Sequence, residues 1–436
     1  MTPTSSAREP DGAPGTGNVL VVYSMLDHPL RESVRDHLCA FRRYSQRRCF
    51  YLNLAVRRVP AWLRRAPFDL LVFHTTFLSK RSSPAYFERL RERARPLKAL
   101  DAVRIALPQD EYLPPASLCE FIDEFGIDYV FSVAPPSEWP TIYPSVDRSR
   151  VRISRVLTGY LDRGAIDRME RLGAPSGDRP VDIGYRAKDL PPWLGRHARL
   201  KAEMAARVAE AAPAKGLVCD ISTRAEDTLL GGDWLRFLLS CKYTIGAEGG
   251  ASLLDRDGTI RARTERFLAE HPGASFEEVE ASCFPGRDGS FGLVALSPRH
   301  LEACATRTCQ VLVEGDYNGV LEAGRHYIPL RRDLGNLDEV LETVKRDDRR
   351  QVIVEAAYRD VVASGAYTYE RFVSEVEAAA LGGRGAAPPP RALDGLREMR
   401  SRVGERLSCL EVVARVRLGG RALRMGARLR RSPPRG

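Results

Sequence analysis

Residues 297–319, SPRHLEACATRTCQVLVEGDYNG, join a proline-led helix start, an apolar run and a polar turn in one continuous stretch. A short helix feeding a buried strand is one αβ step of an open parallel sheet, and ligands of such sheets gather outside the carboxyl ends of the strands. Tyr317 and Asn318, in the turn after QVLVEG, are therefore placed to touch one. At the other end of the stretch, Ser297 or Pro298 opens the helix, and Arg299 follows. The free N–H groups and positive dipole of a helix N-terminus suit a phosphate. Glu302, in an early turn, can accept both hydroxyls of a ribose, although a surface carboxylate favoured by its helix dipole fits the same position.

Other residues carry chemistry of their own. AEGGAS (247–252) follows an apolar run and reads as a turn in which Gly249 lets backbone approach a ligand while Glu248 offers a carboxylate. An ordinary strand-to-helix turn fits it equally. LLDRDGT sets Asp255 and Asp257 at the spacing of a divalent-metal site, but the glycine that follows favours an Asx-type turn, and no metal is expected. FHTT puts His74 at one strand end, and IALPQDEY puts Gln109, Asp110 and Glu111 at the next. A lone histidine is more often neutral and held by backbone than catalytic. GxGxxG after the first strand of either half, GxxxxGK[ST], HExxH and a Ser-His-Asp order are all missing, which argues against dinucleotide, P-loop and hydrolase chemistry.

The elements that must position these residues alternate. VLVVYS (19–24), CFYLNLA (49–55), DLLVFHTT (69–76), AVRIALP (102–108) and DYVFSVA (128–134) are β-rich runs separated by helix-like segments. A second series comprises VDIGYR (181–186), KGLVCDI (215–221), KYTIGAE (242–248), LVALS (293–297), QVLVEG (310–315) and HYIPL (326–330). Such alternation builds α/β parallel sheets with helices on both faces. The chain is 436 residues long, which fits two cores. The expected organisation is a disordered leader (1–17), an N-terminal Rossmann-like domain (18–175), a C-terminal one (176–380), a Pro/Gly linker (381–390) and a basic tail (391–436). No apolar run approaches the roughly 18–20 residues that cross a bilayer. The leader has neither the basic nor the apolar region of a signal peptide, so a cytoplasmic location is expected. Nine cysteines, scattered and without a CxxC pair, indicate reduced thiols and no zinc module.

In order and spacing, SPRHLEA, QVLVEGDYNGVL and HYIPLRRDLGNLDEV resemble the nucleotide-sugar half of bacterial glycosyltransferases of the GT-B fold, close to glycosyltransferase family 4. The resemblance implies a GT-B-like pair of Rossmann-like domains facing across a cleft. It also implies transfer of a sugar from a nucleotide sugar to a saccharide or lipid-linked acceptor, with retention and without cofactor or metal. The family's E-x7-E motif places its second Glu on the donor ribose, and Glu302 matches it; the first Glu falls at Val294 and is missing. GRHARLK (195–201) is similar to the family's G-R-x4-K segment, whose Arg and Lys hold the donor pyrophosphate, so Arg196 and Lys201 take those roles, with Arg186 in IGYR a rival for the first. His74, Gln109, Asp110 and Glu111 fall on the acceptor side. Candidates for catalysis are thus His74, Arg196 and Lys201; those for donor binding are Arg186, Glu248, Gly249, Ser297, Arg299, Glu302, Tyr317 and Asn318. The loss at Val294 leaves a second reading, a non-catalytic nucleotide-sugar-binding module that keeps the fold.

Charge is concentrated at one end. Of the net +10, the tail from Arg391 contributes +9 through 13 arginines against four acids, leaving +1 for residues 1–390. A nearly neutral body is a poor match for nucleic acid. In the tail, Leu396, Met399, Val403, Leu407, Leu410 and Ala414 recur at helical spacing among arginines, the pattern of an interfacial amphipathic helix on an anionic membrane, although an apolar stripe that docks on the body fits the same spacing. This would make the protein peripheral at the inner membrane face. Flotation with phosphatidylglycerol liposomes is expected to carry the full chain upward at low salt and to leave a chain ending at Pro390 behind; equal behaviour of the two removes the membrane role of the tail.

Overall fold

The structure, a computed structural model, describes residues 17–26, 31–172 and 179–382. The expected membrane-binding tail, most of the linker and nearly all of the leader lie outside the described residues.

In the first half, β1 (Asn18–Tyr23), β2 (Arg48–Asn53), β3 (Leu70–Phe73), β4 (Val103–Ala106), β5 (Tyr129–Ser132) and β6 (Arg152–Arg155) form one sheet in the order β2-β1-β3-β4-β5-β6. Every pairing in it is parallel. The second half holds β7 (Val181–Arg186), β8 (Cys219–Ser222), β9 (Cys241–Gly246), β10 (Gly249–Ala251), β11 (Leu293–Ala295), β12 (Cys309–Val313) and β13 (Ile328–Leu330). Five of these make a parallel sheet in the order β13-β12-β9-β7-β8. The central strands are continuous apolar runs with nearly every residue buried, as sheets covered on both faces require. In each sheet the strand order reverses beside the first strand, between β1 and β3 and between β7 and β9, and a crevice opens there at the carboxyl ends.

The two Rossmann-like α/β sheets are those expected; three details differ. RISR (β6) forms an additional edge strand, whose exposed and half-buried residues carry no apolar signal. LVALS supplies β11, which does not join the parallel sheet but pairs antiparallel with β10. AEGGAS, expected as a turn, supplies β10. The cause is steric: Gly250 sits at φ +137°, and a Cβ there would run into the Leu293 carbonyl, so this short ladder closes only over glycine.

The halves are tied together by exchanged helices. The helix Tyr369–Leu381 returns to the first sheet, burying Tyr369, Phe372, Val373 and Val376 in one cluster with Val19, Val21 and Phe41. In the opposite direction, the helix Arg163–Leu172 places Ala165 and Met169 among Leu235, Leu301 and Leu312 of the second half. Leu194, Ala251, Leu254 and Phe291 extend the first half's own core across the joint. Among the described residues no helix is long and apolar enough to cross a membrane.

The returning helix should matter as much as a central core element. Phe372 is 1% exposed and stacks on Tyr160 at 4.7 Å between centroids. Phe372→Ala is expected to cost about 3–5 kcal/mol by denaturant unfolding, whereas Val352→Ala, at a position 71% exposed, should stay within about 0.5 kcal/mol.

Candidate functional site

A cavity of about 340 Å³ opens between the halves, with Arg186, Lys201, Trp234, Ser297, Arg299 and Glu302 on one side and Arg31, Glu32 and Ser33 on the other. The helix Pro298–Ala305 points its N-terminus here: Pro298 presets the first turn, and the Ser297 side chain makes no capping hydrogen bond. Arg299 donates from Nη1 to the Arg186 carbonyl at 2.6 Å, and its guanidinium lies over the rings of Tyr185 at 5.8 Å and Trp234 at 5.7 Å. One turn on, Glu302 accepts at Oε2 from the Trp234 indole N–H at 2.6 Å. Burial raises the Glu302 pKa, opposed by that hydrogen bond and by the charge of Arg299. Arg186 is committed to the strand ends, donating to the Tyr185 and Asp220 carbonyls and to Asp220 Oδ1 at 2.7 Å while lying over Phe237.

Lys201 comes from the long helix Arg196–Ala211. It is half-buried and, among the described residues, has no ion-pair partner. Burial and the nearby positive charge of Arg299 push its ammonium down to about 7, with Glu248 acting in the other direction. Lys201 and Arg299, neither in an ion pair among the described residues, stand beside a helix N-terminus and the Glu302 carboxylate, groups whose chemistry suits an anion that also carries hydroxyls.

Glu248, Gly249, Tyr317 and Asn318 build the floor next to it. Glu248 Oε1 accepts from the Tyr317 backbone N–H at 2.8 Å, and burial raises the pKa of this carboxyl. Tyr317 and Asn318 both lie in the left-handed region, at φ 45° and 57°, which costs non-glycine residues energy unless neighbours hold them. The holders are visible: the Tyr317 hydroxyl donates to the Val313 carbonyl at 2.6 Å, and Asn318 Oδ1 accepts from Leu296 N–H at 2.7 Å, just before Ser297. Gly249 lies so close that a Cβ on it would stand 2.9 Å from Ser297 Oγ and 3.9 Å from Lys201 Nζ. The missing Glu position, Val294, pairs through its backbone with Gly250.

Other candidates lie elsewhere. Arg196 is on the outer surface, ion-paired with Glu277 at 2.9 Å and Glu280 at 2.8 Å and stacked over Phe276. His74 is completely buried; its Nδ1 accepts from Thr76 N–H, and its Nε2 meets His37 Nδ1 at 2.8 Å. Glu111 is consumed by Ser132, Tyr143 and the N–H groups of Val133 and Ala134, and Gln109 donates to the Thr158 carbonyl. Asp110 accepts from the Tyr112 hydroxyl. Asp255 accepts from Gly258 and Arg261 N–H, and Asp257 from Thr259, forming turns at a helix start. No group of three or more His, Cys, Asp or Glu among the described residues could hold a metal ion.

Sequence reasoning passed over Trp234, the Arg31–Ser33 segment and His197. His197 takes a hydrogen bond from Arg332 at Nδ1 and faces the Glu248 carbonyl with Nε2, so it is the neutral tautomer, its pKa pushed to about 4 by burial and then by Arg332 and Lys201. The one histidine of GRHARLK thus supports the Glu248 backbone, between Arg196 and Lys201 in sequence.

No known family profile matches the chain, and none of the curated proteins does. Solved structures similar to it include Anabaena Alr3699/HepE in complex with UDP-glucose, at 12% identity and TM-score 0.42, covering 83% of this chain and 100% of that one. An alpha,alpha-trehalose-phosphate synthase (UDP-forming) from Burkholderia vietnamiensis is 12% identical with TM-score 0.42, covering 85% and 99%. TarM is 10% identical with TM-score 0.36 over 70% of this chain, which spans about half of TarM, 53%.

An anion bound in the cavity restores the positive charge of Lys201, so binding takes up a proton above pH 7, and affinity falls as pH rises beyond it. Titration calorimetry with UDP at pH 8, in buffers of different ionisation enthalpy, is expected to show uptake approaching about one proton, abolished in Lys201→Met.

Proposed function

We propose that the chain is a glycosyltransferase that moves a sugar from a nucleotide-sugar donor to an acceptor bound in the cleft. The observation that carries this reading is the convergence of Lys201 and Arg299, neither paired with a carboxylate, on a cavity that also holds Glu302. The diphosphate would lie against Lys201, Arg299 and the N–H groups following Ser297, and the ribose against Glu302. Two parallel sheets facing across a cleft are the arrangement expected of a GT-B enzyme.

The chemistry asked of the protein is leaving-group stabilisation and positioning. As the glycosidic bond to the phosphate breaks, negative charge grows on the nucleoside diphosphate, and fixed cations in a partly dry site stabilise it without having to reorganise. Because Lys201 is easily neutralised when the site is empty, it gains charge as the phosphate arrives, which couples substrate binding to the catalytic field. A divalent metal is not required in this scheme. The backbone turn at Gly249, close to both Ser297 Oγ and Lys201 Nζ, leaves space for the sugar beside the phosphate. We further propose a hexosyl group, retention of configuration and an acceptor approaching from the β3 and β4 strand ends; a lipid-linked acceptor would suit the arginine-rich tail.

Glu302→Gln and Lys201→Ala are each expected to weaken UDP binding about ten- to a hundredfold, the magnitude of a lost hydrogen bond to a charged group, with unchanged thermal unfolding of the free protein for Glu302→Gln. Turnover of UDP- or GDP-sugars in the presence of EDTA separates the enzyme from a binding module: tight binding without sugar release to any acceptor or water supports the module.

A further inference from the structure

We infer that Trp234 is the positioning residue for Glu302, orienting that carboxylate toward a ligand diol; the inference rests on the reading of the cavity as a nucleotide site. The indole N–H donates to Glu302 Oε2 at 2.6 Å, and Trp234 itself lines the cavity. A carboxylate accepts about four hydrogen bonds. With one direction on Oε2 taken, Oε1 and the remaining position on Oε2 are left to take two neighbouring hydroxyls. The contact also opposes the effect of burial, which pushes the Glu302 proton affinity up.

The ring is itself held on both sides. Phe237, three residues along the same helix, stacks on it with centroids 5.8 Å apart, and the Arg299 guanidinium lies 5.7 Å from its centroid. Arg299, which faces the phosphate position, and Glu302, which faces the ribose position, are therefore braced by one side chain. Trp234 thus meets Arg299 with its ring face and Glu302 with its N–H, and the orientation of Glu302 is separable from packing because it acts through that single N–H.

The test uses the full chain, with UDP and inorganic pyrophosphate as probes. Trp234→Phe keeps the aromatic stack and removes the donor. It is expected to weaken UDP about five- to twentyfold, within the range for a hydrogen bond to a charged group, and to leave pyrophosphate binding unchanged. It should also move the acid-side loss of UDP affinity to higher pH, because Glu302 then protonates more easily. In the double variant Trp234→Phe/Glu302→Gln, UDP affinity should equal that of Glu302→Gln alone. Equal weakening of UDP and pyrophosphate, or additive losses in the double variant, overturns the positioning role while leaving the nucleotide reading intact. An unaltered chain that binds pyrophosphate as tightly as UDP overturns both.

Discussion

Two positive charges sharing a partly dry cavity, neither in an ion pair among the described residues, set the terms for the rest of this structure. An isolated charge taken from water costs several kcal/mol even after relaxation, and Lys201 responds by shedding its proton near neutrality. Arg299 is stabilised by a carbonyl and by two aromatic faces. Such an arrangement persists only where surrounding elements hold it, and the second half is organised to that end. β7 delivers the Arg186 carbonyl, the helix Gly232–Ser240 delivers Trp234, and the helix Pro298–Ala305 carries both Arg299 and Glu302 on adjacent turns.

Backbone strain is accepted in the same place. Tyr317 occupies a left-handed conformation that its side chain disfavours and Asn318 one that asparagine tolerates, and Glu248, Val313 and Leu296 supply the bonds that keep them there. The consequence is mechanical: Asn318 fixes the residue before Ser297, so the loop after β12 sets the starting point of the helix that opens onto the cavity. Glu248 is thereby a structural carboxylate as much as a candidate ligand. The antiparallel β10–β11 pair, closed over Gly250, brings Gly249 beside Ser297 from the other side.

The first half contributes less chemistry and more confinement. Its strand-end polar groups are largely occupied with one another, as Glu111 and the His37–His74 pair show. Exchange of the helices Arg163–Leu172 and Tyr369–Leu381 ties its core to that of the second half. Arg31–Ser33 reaches the cavity as a result.

By itself the sequence determined the two parallel sheets, because continuous apolar runs alternating with amphipathic segments bury on both faces in one way only. It also marked the stretch from Ser297 to Asn318, where a proline-led helix start and a polar strand end lie within one αβ unit and local spacing is enough. Lys201 and Arg299 could be named as cations but not as unpaired ones, since ion pairing depends on what other segments bring near. Arg196 illustrates this: five residues from Lys201 in the same motif, it faces outward to Glu277 and Glu280, and only the packing of the helix Phe276–Cys283 decides so. Trp234 and Glu302 are 68 residues apart, and no local pattern of residue types signals a hydrogen bond at that separation. The tertiary structure alone decided which charges stay unsatisfied, because satisfaction is a property of neighbours in space, whereas a strand or helix is a property of neighbours in the chain.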